Sequence, residues 1–221
     1  LLVFFLLGTM RRHETPVAIG SAAASRLLDG WRRVWSNPDL SVLVAPVLAF
    51  SAMQACLNSF LALHAVQAWG WQPVAAGLLV GAAQGGGLAG RLLWGALASQ
   101  YSSARAWLVW IGGGMSACAL LVGLAPSGLS AAALLILALA FGLTASGWNG
   151  VFLAEVARLS PGSEAATTGA LLTLSYAGLV LGPMLFPLLV SPATPGGGFL
   201  ALAVVGSLGT LALILARRAA C

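Results

Sequence analysis

Residues 40 to 65 read LSVLVAPVLAFSAMQACLNSFLALHA, and they open a stretch from Leu40 to Gly90 that holds no Asp, Glu, Lys or Arg. Crossing about 30 Å of hydrocarbon takes about 20 helical residues, so residues 40 to 65 suffice for one passage. Five more apolar stretches follow, near 73 to 98, 105 to 124, 129 to 153, 167 to 190 and 198 to 216. The charges, Arg91 apart, fall in every second gap between them. Arg11, Arg12, His13, Glu14, Arg26, Asp29, Arg32, Arg33 and Asp39 precede the first stretch; Arg105 follows the second; Glu155, Arg158 and Glu164 follow the fourth; Arg217 and Arg218 follow the last. The gaps at 69 to 73, 125 to 128 and 191 to 198 carry none. Arginine is retained on the cytoplasmic face during insertion while neutral loops cross. The alternation therefore predicts an all-α membrane protein of six transmembrane helices, with both ends of the six-span block cytoplasmic.

Composition agrees: 60% of residues are hydrophobic, 7% are charged and the mean hydropathy is +0.98, against roughly 25% charged residues in a soluble domain. A soluble core is excluded. The net charge of +5 comes wholly from arginine, and topology accounts for it, so nucleic acid is not an expected partner. Cys56, Cys118 and Cys221 have no paired spacing that suggests a metal or redox site. No metal ligands and no cofactor are expected.

Three regions follow. Residues 1 to 9 are apolar but too short to span and lack the basic start of a signal peptide; they read as the end of a transmembrane helix whose beginning lies upstream. Residues 10 to 39 read as a cytoplasmic linker. Within it Leu27, Leu28, Trp31, Val34 and Trp35 recur at helical spacing opposite Arg26, Asp29, Arg32 and Arg33, as in a helix lying in the headgroup region. Asn37-Pro38-Asp39 ends that helix and starts the next. Residues 40 to 221 form the six-helix domain. Residues 77 to 95 and 169 to 187, set together without gaps, share glycines at Gly77/Gly169, Gly86/Gly178 and Gly90/Gly182. The two stretches run in opposite directions across the bilayer, as two inverted three-helix repeats require.

Arg91 lies inside the second stretch, where a guanidinium costs about 2.5 kcal/mol or more unless it snorkels, is paired or faces water. One reading sends it to the headgroups; the other has it face a polar cavity and bind an anion through its planar fork. Gln84 precedes it on the same helical face. Ser51, Gln54 and Asn58 form a stripe on the first span, Asn149 lies on the fourth, and Thr173 and Tyr176 on the fifth. Each can line a cavity or bond a neighbouring helix. Pro46, Pro183 and Pro187 are candidate breaks. An intramembrane serine protease needs a His on a later helix than its Ser, and Ser146 has none after it, since the histidines are His13 and His64. An intramembrane aspartyl protease fails because Asp29 and Asp39 precede the first span. No enzyme is expected.

Gly90-Arg91-Leu92-Leu93-Trp94-Gly95-Ala96-Leu97-Ala98-Ser99 resembles the eighth helix and following cytoplasmic loop of major facilitator superfamily transporters, with Ser99 and Gln100 replacing the family's Asp-Arg pair. Trp148-Asn149-Gly150-Val151-Phe152-Leu153-Ala154-Glu155-Val156-Ala157-Arg158, with Gly169, Gly178, Gly182 and Pro183 beyond it, is similar to helices ten and eleven of bacterial members, including the cyanate-permease-like group. The resemblance spans the chain as the carboxy-terminal half of that fold. It implies a secondary transporter in a bacterial inner membrane that works by alternating access with an amino-terminal six-helix half. An arginine at the place of Arg91 also resembles the monocarboxylate and oxalate/formate branches, where it engages a substrate carboxylate. That implies a small organic anion as substrate, with Arg91, Gln84, Gln54, Asn58, Asn149 and Tyr176 as candidate binding residues. Glu155 and Arg158 match the family's cytoplasmic charge cluster and, with Arg105, are the candidate gating residues. The alternative is a self-contained six-span protein, either a homodimeric half-transporter or a non-transporting scaffold.

Overall fold

Asn37 accepts a hydrogen bond from the Asp39 N–H at 2.9 Å and Pro38 opens the following turn, so one helix ends and another begins at the expected break. The computed structural model describes residues 21–100, 104–191 and 193–219. The expectations for residues 1 to 20, a helix end and a basic run, lie outside the described residues. Helix α1 is Ser21–Ser36 and α2 is the single turn Pro38–Ser41. Then come α3 (Val44–Trp69), α4 (Pro73–Gln100), α5 (Ala104–Leu124), α6 (Ala131–Ala145), α7 (Trp148–Leu159), α8 (Glu164–Leu185) and α9 (Gly197–Ala219).

The helix ends follow local chemistry. Gly70, at φ 69°, ends α3 in the left-handed region that favours glycine, and the N–H groups of Gly70 and Trp71 both bond the Ala65 carbonyl. Pro73 opens α4, where its missing N–H costs nothing. The Ser130 side chain accepts from Ala133 N and caps α6. Pro46 lies in the first turn of α3 and breaks nothing. Pro183 lies near the end of α8, which passes at Phe186 into a 3-10 turn, Phe186–Leu189, that contains Pro187.

Among the described residues five segments are long and apolar enough to cross a membrane: Pro38–Trp69, Ala104–Leu124, Ala131–Leu159, Glu164–Leu189 and Gly197–Leu215. The sequence reading expects six. The remaining stretch forms one helix of 28 residues, α4, but its glycines, Gln84 and Arg91 hold its apolarity below that of the others. The fourth stretch is also more than one helix: it breaks at Ser146 and Gly147 into α6 and α7.

Packing rests on pairs of helices: α4 against α6, α3 against α8 and α5 against α9. Lipid tails are as apolar as leucine, so close van der Waals approach holds such pairs together. A β-carbon on Gly86 would collide with the Leu139 carbonyl, and one on Gly90 with that of Leu143. Gly178 meets the Leu48 carbonyl in the same way, and Gly182 meets the backbone of Ala52. Two aromatic clusters lie within the core. Phe50 meets Trp148 at 5.8 Å, Trp148 meets Phe152 at 5.4 Å, and Phe199 lies 6.4 Å from Phe141 and 5.1 Å from Phe186. Outward faces carry Val74, Trp110, Ile136 and Leu188 exposed, as lipid-facing helices do.

Candidate functional site

Of the six expected binding residues, the structure brings four into two interhelical pairs. Gln84 of α4 donates to the Asn58 side chain of α3 at 2.9 Å. Asn149 of α7 donates to the Gln54 side chain of α3 at 3.3 Å, and its Nδ2 lies 3.5 Å from the Ser146 carbonyl. Asn58, Gln84 and Arg91 are exposed, and Gln54 and Asn149 half-buried, on helices otherwise lined with apolar side chains. The stripe expected on α3 is thus divided among three neighbours, because Ser51 turns to α8 and bonds the Ser175 hydroxyl at 2.7 Å. Among the described residues no hydrogen bond joins Tyr176, exposed on α8, to the other five. Thr173 bonds the Gly169 carbonyl one turn back on its own helix at 2.9 Å.

Arg91 is held at one nitrogen, and among the described residues it meets no carboxylate. Its Nε donates to the Ser146 carbonyl at 3.3 Å, at the break between α6 and α7. Trp94, one turn on, donates through Nε1 to the Leu143 carbonyl at 2.9 Å. The break exposes carbonyls that a continuous helix would satisfy internally, and α4 supplies donors to them. The terminal nitrogens of Arg91 remain able to meet a further acceptor.

The candidate gating residues meet at one end of the bundle. The Arg158 Nε and Nη2 atoms each donate to an oxygen of Glu155 at 2.8 Å, a two-pronged contact within one turn of α7. Arg105, at the start of α5, has its Nε 3.7 Å from Glu155 Oε1, and its Nη2 donates to Asp39 Oδ1 at 3.0 Å and to the Asp39 carbonyl at 3.3 Å. Glu155 has no exposed side-chain surface, Arg105 is 11% exposed and Arg158 57%. Desolvation of the first two is offset by their contact with each other and by the bonds to Arg158 and Asp39. Asp39 is a partner that sequence reasoning missed; it follows Pro38 and reads as a helix-start residue, and nothing local points to Arg105, 66 positions away.

A second cavity is apolar. A groove of about 410 Å³ between α3, α8 and α9 is lined by Ala49, Ala52, Gly182, Phe186, Val205 and similar residues, and it offers no side-chain donor. At the uncharged end, His64 is buried in edge contact with Trp69 at 4.9 Å and Phe199 at 5.1 Å. Among the described residues no three His, Cys, Asp or Glu side chains come together to hold a metal ion. The model of one protein family, the Major Facilitator Superfamily, matches residues 1–183. No curated protein matches the chain.

Proposed function

The chain belongs to the major facilitator superfamily, a family of transporters, and with its apolar helices it is a multi-pass membrane protein; on that basis we propose that it forms the carboxy-terminal half of a secondary transporter that moves a small organic anion by alternating access. The observation that carries this reading is the polar face shared by α3, α4 and α7, where the Asn58–Gln84 and Gln54–Asn149 pairs accompany Arg91 on otherwise apolar helices. Polar groups in such helices face a bundle interior or a wet cavity. Arg91 binds the anion through its terminal nitrogens, Gln84, Asn58, Gln54 and Asn149 contact the rest of the solute, and Tyr176 closes the site from α8. A second six-helix unit supplies the opposite wall. The likeness of residues 90 to 95 to the monocarboxylate-type branches supports a carboxylate over a neutral solute.

In this reading α4 is the sixth span, less apolar than the others because Gln84 and Arg91 serve the path. The six form two inverted three-helix repeats, α3 to α5 and α6 to α9. Helix packing supports this. In the register that sets residues 77 to 95 on 169 to 187, Gly86 matches Gly178 and Gly90 matches Gly182, and all four make close backbone approaches. Those of α4 fall on Leu139 and Leu143 of the second triplet, and those of α8 on Leu48 and Ala52 of the first. The end holding Asp39, Arg105, Glu155 and Arg158 is the cytoplasmic one by its arginine content, as in a bacterial inner membrane. There the buried cluster latches α2, α5 and α7 and serves as the inward gate.

The test is anion affinity of the purified protein. Arg91→Lys keeps the charge and loses the fork, so affinity falls about tenfold or more, and Arg91→Ala falls further, since a charged hydrogen bond contributes roughly 1.5 to 3 kcal/mol. Unchanged affinity in both variants, with thermal stability lowered, assigns Arg91 to the α6–α7 break alone and removes the anion site. Uptake by the 221-residue chain alone in liposomes favours a homodimer over a shared site between two halves.

A further inference from the structure

Helix α1 uses only part of its apolar side within the protein. Gly30 abuts the Ala166 carbonyl of α8 so closely that no β-carbon fits, Val34 is fully buried, and Leu27 reaches Gly169. Trp31, half-buried beside them, stacks on Trp35 at 6.5 Å. Past that line the apolar face continues without cover: Leu28 is 61% and Trp35 64% exposed. At 3.6 residues per turn Arg32 borders this edge. Asp29 lies 3.9 Å from Arg32, so the exposed Arg33 leaves the polar side with a net positive charge.

The height of this edge is fixed by what α1 is attached to. It crosses the first two turns of α8 at Ala166, Gly169 and Ala170, in the segment that begins to cross the membrane at Glu164, and it runs through Asn37 into the segment that begins at Pro38. Both membrane-crossing segments start at that plane, so α1 lies where hydrocarbon gives way to headgroups. An uncovered Leu and Trp at that depth match the acyl boundary, and adjacent arginines match phosphate.

We infer that α1 docks on the lipid surface through Leu28 and Trp35, with Arg32 and Arg33 selecting anionic phospholipid headgroups. This rests on membrane insertion and not on the transport reading. It is tested on the 221-residue chain in bilayer discs, with Trp35 emission taken as the difference between the parent and Trp35→Phe. Brominated phosphatidylcholine or brominated phosphatidylglycerol, at equal mole fraction, serves as quencher. Both lipids quench Trp35, the anionic one more effectively. Each arginine near an anionic surface is worth about fivefold in local lipid association, equivalent to about 1 kcal/mol. Arg32→Gln with Arg33→Gln therefore brings the two lipids to near equality, while Arg32→Lys with Arg33→Lys retains the preference. Quenching of Trp35 by aqueous acrylamide and not by either lipid overturns the inference. So does protection from both, which means that protein covers the edge, and so does an anionic preference that survives loss of both arginines.

Discussion

Arg105, in the first turn of α5, holds its Nε 3.7 Å from the buried carboxylate of Glu155 on α7, and the same guanidinium bonds Asp39 of α2. Three helices distant in sequence share one buried charge. A buried pair contributes little over an apolar core, but removing one member strands the other.

Glu155→Ala therefore costs about 3 to 5 kcal/mol and lowers the unfolding temperature in detergent sharply. Arg158→Ala costs less, because its guanidinium is mostly exposed and Arg105 stays beside Glu155. An equal loss in the two variants contradicts this order.

The glycines divide into two sets. Gly86→Ala, Gly90→Ala, Gly178→Ala and Gly182→Ala force backbones apart and cost roughly 1 to 3 kcal/mol each. Gly77→Ala, Gly81→Ala and Gly85→Ala meet nothing within 4 Å and leave the stability of the chain unchanged or slightly raised. Thermal unfolding of the seven variants checks this.

The Asn58–Gln84 bond is a poor stabiliser. Interhelical hydrogen bonds in membranes average about 0.6 kcal/mol, so a double-mutant cycle on Asn58→Ala and Gln84→Ala gives a coupling near that value. Anion affinity falls by a larger factor than stability explains if the pair lines the solute path.

Topology is read by labelling single cysteines, after Cys56, Cys118 and Cys221 are replaced. Cysteines at Gly70 and Ser127 are labelled from the periplasmic side, and one at Ser163 from the cytoplasmic side. The reverse pattern turns the bundle over and removes the assignment of the charged cluster to an inward gate.

The helices were legible because apolar length and arginine placement are local properties of the chain. The start at Pro38 follows from Asn37-Pro38-Asp39, while α3 runs four residues past the expected end at 65, to Trp69. Which polar residues would pair was not legible. Ser51, Gln54 and Asn58 share a stripe on paper, yet they bond α8, α7 and α4 respectively. The break at Ser146 and Gly147 has no proline to announce it, and with it went the donor roles of Arg91 and Trp94. The candidate gating residues came from resemblance, and geometry added Asp39.

The glycine crossings have a mechanical consequence. Where side chains separate two helices, the pair can slide by changing rotamers. Where α4 rests on Leu139 and Leu143, and α8 on Leu48 and Ala52, backbone touches backbone and there is no such layer to shear. Each pair is a stiff plate. Compliance is left to the places where helices end or break: the joint at Ser146 and Gly147, the turn after Pro183, and the link at Asn37.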